Sequence, residues 1–398
     1  MQQNFDDIRV LCGKLPKQEQ PAKPMQPFEP MICDFLSALS ERLMQHSKRR
    51  EFPDILTFGF FCRRANLTQL RARYGDSLEN RIGRGMSFHI APSNVPIMFA
   101  YSAVASLLAG NTCVVRASAK DFPQTEIICA ELRELLEQPS YSALNDRIAI
   151  VQYPHSRSLN DLFSSMCAVR IIWGGDRTVS EVRQSPLPPR ACELTFADRY
   201  SAAVFDAEAV LSAGTTLARD FYNDTYLYDQ NACSAPRLIY WLGKPDVCSH
   251  ARTYFWDMLH TYVRAHYPLE PVISVDKFTA ACRLAVSQEA RMLPMPDLLI
   301  SRAEVSSLSS ALQQYVCAGG SFIEYHDTAL DALASLITPK VQTIAYYGDL
   351  SEMLGEFTVT NQLSGIDRIV PVGKTADFDL LWDGYDLITQ MSRVIAVR

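Results

Sequence analysis

At 398 residues the chain has the length of two or three domains, and a 48% share of hydrophobic residues is that of a packed globular protein, not a disordered one. A formal net charge of −6 excludes a global attraction to nucleic acid or to an anionic membrane, and the one compact basic run, Lys48-Arg49-Arg50, reads as a solvated helix end. Eleven cysteines without CxxC or Cys/His ligand spacing exclude a zinc centre; their odd number, and a start (Met1 to Asp7) with neither basic n-region nor apolar h-region, predict a reduced cytoplasmic protein with no metal.

Residues 13–30 carry five prolines and read as an extended arm. Phe35 to Gln45 has helical spacing, with Phe35, Leu36, Leu39 and Leu43 on one side. Ser87 to Ile90 is a short strand, and Ala91 to Pro96 a turn. A helix then runs to about Ala109; Pro96 suits its first turn and Gly110 its left-handed C-cap. This apolar stretch, Val95 to Gly110, is too short to span a membrane and reads as a core helix. Thr112 to Arg116 is a strand, Pro123 to Glu137 a helix, Arg147 to Val151 a strand and Leu159 to Met166 a helix. Val169 to Trp173 is a strand that ends at Gly174-Gly175-Asp176 before another helix. The alternation predicts an α/β fold: a parallel, doubly wound sheet whose short, unalternating apolar strands are buried on both faces. Ligands then belong at the strand carboxyl ends, after Ile90, Arg116 and Trp173.

Beyond Ser201 to Phe205 the texture changes. Thr216 to Leu227 is helical, Asp229 to Arg237 a connection and Leu238 to Trp241 a strand. Helices are predicted near 251–265, 276–290 and 304–317, and Asp379 to Val397 mixes strand and helix signals.

Several residues have suitable chemistry. Cys233, among small residues between helix and strand, is either a thiolate nucleophile or a buried apolar filler. Asn94, opening a helix after a strand, is either an oxyanion donor or an N-cap. Glu193 is either a general base or a surface glutamate. Gly174-Gly175 either receive a phosphate or make a tight turn. His89, inside a strand, reads as a satisfied core histidine, and His326 as a loop histidine beside carboxylates. Without GxGxxG after the first strand, GxSxG or GxxxxGK[ST], common dinucleotide-binding, serine hydrolase and P-loop readings lose support.

Phe88 to Pro96, Ser106 to Asn111, Val114 to Arg116, Ile172 to Asp176, Asp229 to Arg237, Gly365 to Gly373 and Trp382 to Leu387 together resemble, in order and approximate spacing, the LuxC-type acyl-CoA reductases. That family supplies fatty aldehyde in bacterial bioluminescence and belongs to the aldehyde dehydrogenase superfamily. The resemblance implies an aldehyde-dehydrogenase-like fold: a cofactor domain, an α/β catalytic domain and a small oligomerisation element. In residues these are an N-terminal arm (1–30), an NAD(P)-binding domain (31–200), a catalytic cysteine domain (201–365), and a C-terminal segment (366–398) for oligomerisation or return to the cofactor domain. It implies Cys233 as the acyl-accepting nucleophile and Asn94 as an oxyanion donor. Arg116 and Ser118 fall near the adenosine ribose and its phosphate, and Trp173, Gly174 and Gly175 near the pyrophosphate and nicotinamide. An arginine at a strand end favours NADPH, with NADH as the alternative. The superfamily's Glu-Leu-Gly-Gly block stands here as Glu193-Leu194-Thr195-Phe196, so Glu193 inherits the carboxylate without the glycines.

The implied activity is NADPH-dependent reduction of an acyl thioester, on coenzyme A or a protein, to an aldehyde through acyl-cysteine. The rivals are an oxidising aldehyde dehydrogenase and a non-catalytic acyl-binding partner. An acyl-protein synthetase is the implied partner, without nucleic acid or membrane span, and the apolar end, Val394 to Val397, suggests a homo-oligomer.

Overall fold

The computed structural model describes residues 7–16, 22–316 and 318–397 and divides into two compact units. One comprises the chain to Ala197 together with Phe378 onward; the other is Asp198–Asp377.

The first unit begins with β1 (Arg9–Gly13), α1 (Pro30–Gln45), α2 (Pro53–Phe61), α3 (Arg64–Tyr74) and the short β2 (Arg81–Gly83). Strands and helices then alternate: β3 (Met86–Ile90), α4 (Met98–Leu108), β4 (Thr112–Arg116), α5 (Pro123–Leu136), β5 (Ile148–Gln152), α6 (Arg157–Met166), β6 (Val169–Trp173), α7 (Asp176–Val182) and β7 (Cys192–Phe196). The sheet order is β1-β5-β4-β3-β6-β7, parallel throughout except for β1. All of β6 is buried, as a strand covered by helices on both faces must be. Helix α5 buries Ile128, Cys129, Leu132, Leu135 and Leu136 on one face. Each large side chain so buried contributes about 1.5–3 kcal/mol. After β3 the chain steps outward through β4 and β5, then returns to the other side of β3 for β6 and β7. The switch point therefore lies between the carboxyl ends of β3 and β6.

The proline-rich start is not a loose arm. β1 pairs antiparallel with β5, and its Leu11 and Cys12 are buried. Met25 and Phe28 donate backbone N–H groups to Gly110 and Leu108 at the end of α4 (2.8 and 2.7 Å). Gly110 has the left-handed conformation expected of it (φ +86°), and a Cβ there would come 2.0 Å from the Met25 carbonyl oxygen. Residues 17–21 of the arm, like the first six of the chain, lie outside the described residues.

The second unit contains β8 (Tyr200–Asp206), α8 (Ala207–Leu211), α9 (Thr215–Thr225), β9 (Pro236–Leu242), α10 (Pro245–His266) and α11 (Pro271–Ser287). There follow β10 (Ala290–Leu293), β11 (Ser301–Val305), β12 (Ser321–Asp327), β13 (Val341–Tyr347), α12 (Ser351–Thr360) and β14 (Arg368–Pro371). Its sheet order is β10-β11-β12-β9-β8-β13-β14, with only the β10–β11 ladder antiparallel. The helix predicted over 304–317 is absent: β11 ends at Val305, and a short 3-10 turn, Ser310–Gln314, follows. Ala303 and Val305 are buried while Arg302 and Glu304 are not, a period of two and not of 3.6. Cys317 lies outside the described residues. His326 belongs to β12, not to a loop.

A buried carboxylate organises the middle of this sheet. Glu324 is fully buried and accepts from Trp241 and Trp256 Nε1 (both 2.9 Å), Arg252 Nε (3.0 Å) and Arg302 Nε (2.7 Å).

The chain re-enters the first unit with β15 (Leu381–Trp382), β16 (Tyr385–Asp386), α13 (Leu387–Met391) and β17 (Ser392–Val394), the last pairing with β2. Asn111 Nδ2 donates to Met391 O (2.9 Å), Tyr74 Oη to Asp386 (2.9 Å) and Arg73 Nη1 to Asp379 (2.8 Å). Residues 366–377 thus remain with the second unit, and only 378 onward returns.

Candidate active site

Three neighbouring strands, β4, β3 and β6, bring most of the predicted residues to one edge of the first sheet. Asn94 lies exposed in the turn after β3. That turn is tied to β4 by Ala91 N–H donating to Arg116 O (2.9 Å). The cap of α4 is Ile97, which makes no side-chain capping bond, so Asn94 is not the N-cap.

Arg116 ends β4, half-buried. Its guanidinium lies 4.9 Å over the Tyr153 ring, and Nε and Nη2 donate to Tyr153 O (3.4 and 3.2 Å). Ser118, half-buried just beyond, accepts from Lys120 N–H (3.1 Å), and its carbonyl accepts from Gln152 Nε2 (2.6 Å). A phosphorylated ribose needs a partly exposed cation and a hydroxyl beside a strand end, and Arg116 and Ser118 supply both. The residues present fit a nicotinamide dinucleotide at this edge. Tyr153 escaped the sequence analysis because it belongs to the neighbouring strand's end; its signal was the aromatic just after β5.

Trp173 and the glycines sit at the end of β6. The indole is buried, stacked on Phe196 (centroids 3.7 Å, 9° between planes), and donates to Ser102 Oγ (2.9 Å). Gly174 packs tightly on its own helix, since a Cβ would lie 3.0 Å from Thr178 Cβ. Gly175 is the N-cap of α7, which has seven residues and carries Asp176 in its first turn. A carboxylate already answers that short helix's dipole, so charge does not favour a phosphate there, and the tight-turn reading of the glycines is the better supported.

Behind this edge runs a buried relay. Trp173 Nε1–H donates to Ser102 Oγ, and Ser102 Oγ lies 2.6 Å from His89 Nδ1. His89 Nε2 lies 2.6 Å from Ser87 Oγ, which also meets Ser106 Oγ (2.6 Å) and donates to Thr112 O (3.0 Å). One pattern satisfies all of these: neutral His89 with its proton on Nε2, accepting from Ser102 at Nδ1. Burial supports it by pushing the His89 pKa down to about 3. His89 is a satisfied core histidine.

Glu193 is placed otherwise than a general base requires. It sits at the amino end of β7, paired in register with Arg170 near the start of β6, at the opposite edge of the sheet. Arg170 Nε donates to Oε2 and Arg183 Nε to Oε1, both at 2.7 Å, so guanidinium groups take both carboxylate oxygens. Both oxygens of Glu193 are thus ion-paired at the edge of the sheet opposite Asn94, Arg116 and Gly174.

In the second unit Cys233 lies half-buried in the connection before β9, at the amino edge of that sheet. Its carbonyl accepts from Ser201 Oγ (2.7 Å), and Ala235 N–H closes a turn onto Ala232 O (3.1 Å). None of the ten described cysteines forms a disulfide. Six are buried. Desolvation pushes their thiols up, to about 12 at Cys12, Cys113 and Cys167, and upward also at Cys62, Cys129 and Cys248. Cys233 does not share that fully buried setting. Among the described residues no cluster of three His, Cys, Asp or Glu is placed to hold a metal, and no helix is long and apolar enough to cross a membrane.

Comparison with known proteins decides the family. The family model described as "Acyl-CoA reductase (LuxC)" matches residues 21–251. The chain belongs to the acyl-CoA reductase (LuxC) family. Among curated relatives, the long-chain acyl-protein thioester reductase of Aliivibrio fischeri is 25% identical over 173 residues, 42% of this chain but only 34% of that protein. Two solved structures show the fold. The 1-pyrroline-5-carboxylate dehydrogenase of Thermus thermophilus has a TM-score of 0.64 at 11% identity, covering 94% of this chain and 82% of its own. A NAD-dependent benzaldehyde dehydrogenase of Corynebacterium glutamicum has 0.62 at 12% identity, covering 93% and 85%. The LuxC-family chain is thus aldehyde-dehydrogenase-like in fold, and the matched span contains every residue named above for the site.

Proposed function

We propose that the chain reduces an acyl thioester, carried on coenzyme A or on a protein, to an aldehyde. The Cys233 thiolate attacks the thioester carbonyl carbon; a carbon–sulfur bond to Cys233 forms, and the bond to the donor sulfur breaks, releasing a thiolate that takes a proton from solvent. A nicotinamide cofactor, NADPH in preference to NADH, supplies when bound the hydride that converts the acyl carbon to an aldehyde carbon. Collapse then breaks the bond to Cys233 and restores its thiolate. The Asn94 side-chain amide and the Cys233 backbone N–H have the chemistry of donors to the oxyanion in both steps. Arg116 and Ser118 would hold the ribose end of the cofactor, with Trp173, Gly174 and Gly175 lining the neighbouring strand end.

The observation that carries this reading is the family match over 21–251, which spans both Cys233 and the β4, β3 and β6 strand ends. The ion-paired state of Glu193 favours the reducing direction, where no water needs activating. An acyl-protein synthetase as donor, a homo-oligomeric state and a cytoplasmic setting complete the proposal.

The test feeds acyl-CoA and NADPH to wild type, Cys233→Ser and Asn94→Ala, reading NADPH consumption and trapping aldehyde. Cys233→Ser loses the activity, and Asn94→Ala falls by about 10²–10³. Equal NADPH consumption by wild type and Cys233→Ser overturns the proposal. Arg116→Ala raises KM for NADPH more than for NADH; an equal rise overturns the NADPH preference.

A further inference from the structure

At the start of β12, ninety positions after Gln230, the chain passes back against the Cys233 connection, and one side chain joins the two. Gln230 is fully buried. Its Nε2 donates to Pro236 O (2.9 Å) and Ser321 O (3.0 Å), and its Oε1 accepts from Gly320 N–H (3.0 Å) and Ser321 N–H (2.8 Å). A primary amide has two donors and two acceptor lone pairs, and here all four are used. Rotating the amide by 180° would face donors with donors, so only one orientation satisfies the site. The backbone of Gln230 is held as well: its N–H donates to Thr225 O (2.7 Å), and its carbonyl accepts from Arg237 Nη2 (2.7 Å).

The opposing segment is fixed in turn. Gly319 donates its N–H to Asp229 O (2.9 Å) and accepts at its carbonyl from Lys277 Nζ (2.6 Å), an ammonium buried to 1% exposure. Gly320 leaves no room for a side chain, since a Cβ would come 2.0 Å from Tyr226 Oη. Asp229 and Gln230 both hold left-handed backbones (φ +51° and +58°). Such conformations are strained in a residue with a side chain and persist only where surroundings impose them. The chain reaches Cys233 three residues later.

We infer that Gln230 is the positioning residue for Cys233: its amide bridge to Gly320 and Ser321 fixes where the nucleophile-bearing loop leaves the fold. The inference rests on the acyl-cysteine role of Cys233 for its catalytic consequence. An attacking atom displaced by about 1 Å costs on the order of 10²-fold in rate. Loosening the bridge therefore lowers kcat and leaves the thioester KM in place.

The experiment uses Gln230→Glu, which keeps the shape and loses the two donors, and Gln230→Met, which keeps the length and loses all four bonds. Kinetics with acyl-CoA and NADPH are paired with the pH profile of Cys233 alkylation by iodoacetamide, followed by peptide mass spectrometry. The expected result is a kcat reduced about 10- to 100-fold at unchanged KM, together with a shifted alkylation profile. A folded variant with wild-type kcat and alkylation profile overturns the inference, and so does one that merely melts earlier. If neither variant folds, amide exchange in the wild type decides. Gly320 and Ser321 N–H groups as protected as those of β12 support the bridge; exchange at loop rates overturns it. Should Cys233→Ser still reduce the thioester, the acyl-cysteine role fails, while the alkylation profile still reports whether Gln230 sets the thiol.

Discussion

Glu324, fully buried, gathers two guanidinium and two indole N–H groups. Removing one partner from such a buried set leaves charge uncompensated, which costs about 3–5 kcal/mol. Glu324→Gln is expected to lower the unfolding free energy by that amount, read as a lower urea midpoint at unchanged m-value; a loss under about 1 kcal/mol would show that the network is nearly neutral. The sequence pointed to this stretch only through its histidine, because a single carboxylate among apolar strand residues gives no sign of partners on α10 and β11. The candidate site divides in the same way. The strand-end positions of Arg116 and Gly174 were legible because an apolar run leads directly into each, and that of Asn94 because a short turn separates it from β3. The ion pairs of Glu193 were not legible, because its partners, Arg170 and Arg183, are fixed by register and helix packing. Gln230 was invisible because its role depends on backbone ninety residues away.

Elements were most legible where burial is two-sided. Thr112–Arg116 and Val169–Trp173 are found as predicted, since unbroken apolar runs between turn residues leave little choice. Helix α10 begins at Pro245, six residues before the predicted start; proline in the first turn was the available signal. β1 was hidden by the prolines after it, and β11 by charges on its exposed face. Two glycine substitutions separate backbone need from helix propensity. Gly110→Ala meets both a left-handed φ and the Met25 carbonyl, so it lowers stability by more than about 1 kcal/mol. Gly355→Ala, inside α12 with open space around it, raises stability by about 0.5–1 kcal/mol. Thermal unfolding of the two variants checks both signs, and equal shifts would contradict the assignment.

Across the whole molecule, one buried group in each unit shifts in opposite senses, so the two units are expected to respond oppositely to acid. Burial holds the His89 pKa at about 3, below its ordinary 6.5. The unfolded chain therefore takes up a proton that the fold refuses, and stability in the first unit is lost as pH falls below 6.5. Asp224 is raised by burial to about 7 from an ordinary 3.8, despite accepting from Gly373 and Thr375 N–H (2.6 and 3.0 Å); Asp377 adds to the rise and Lys374 faces it. Its folded form keeps a proton, so its contribution is full below 3.8 and is lost as pH rises through 7. Between pH 7 and 4, amide exchange corrected for intrinsic rates is expected to show the first unit opening more and the second less. Asp224→Asn flattens the second trend; parallel behaviour of both units in the wild type would contradict it.

Because β1 is the outermost strand beside β5, trimming the chain through Gly13 would strip the cover from Ile148-Ala149-Ile150-Val151-Gln152. A bare row of amides along so apolar a ribbon invites other copies to stack. Such a shortened protein should scatter light within hours at concentrations where the full chain stays clear. Length at this end is thus a condition for colloidal stability, and an affinity tag belongs ahead of Arg9, never in its place.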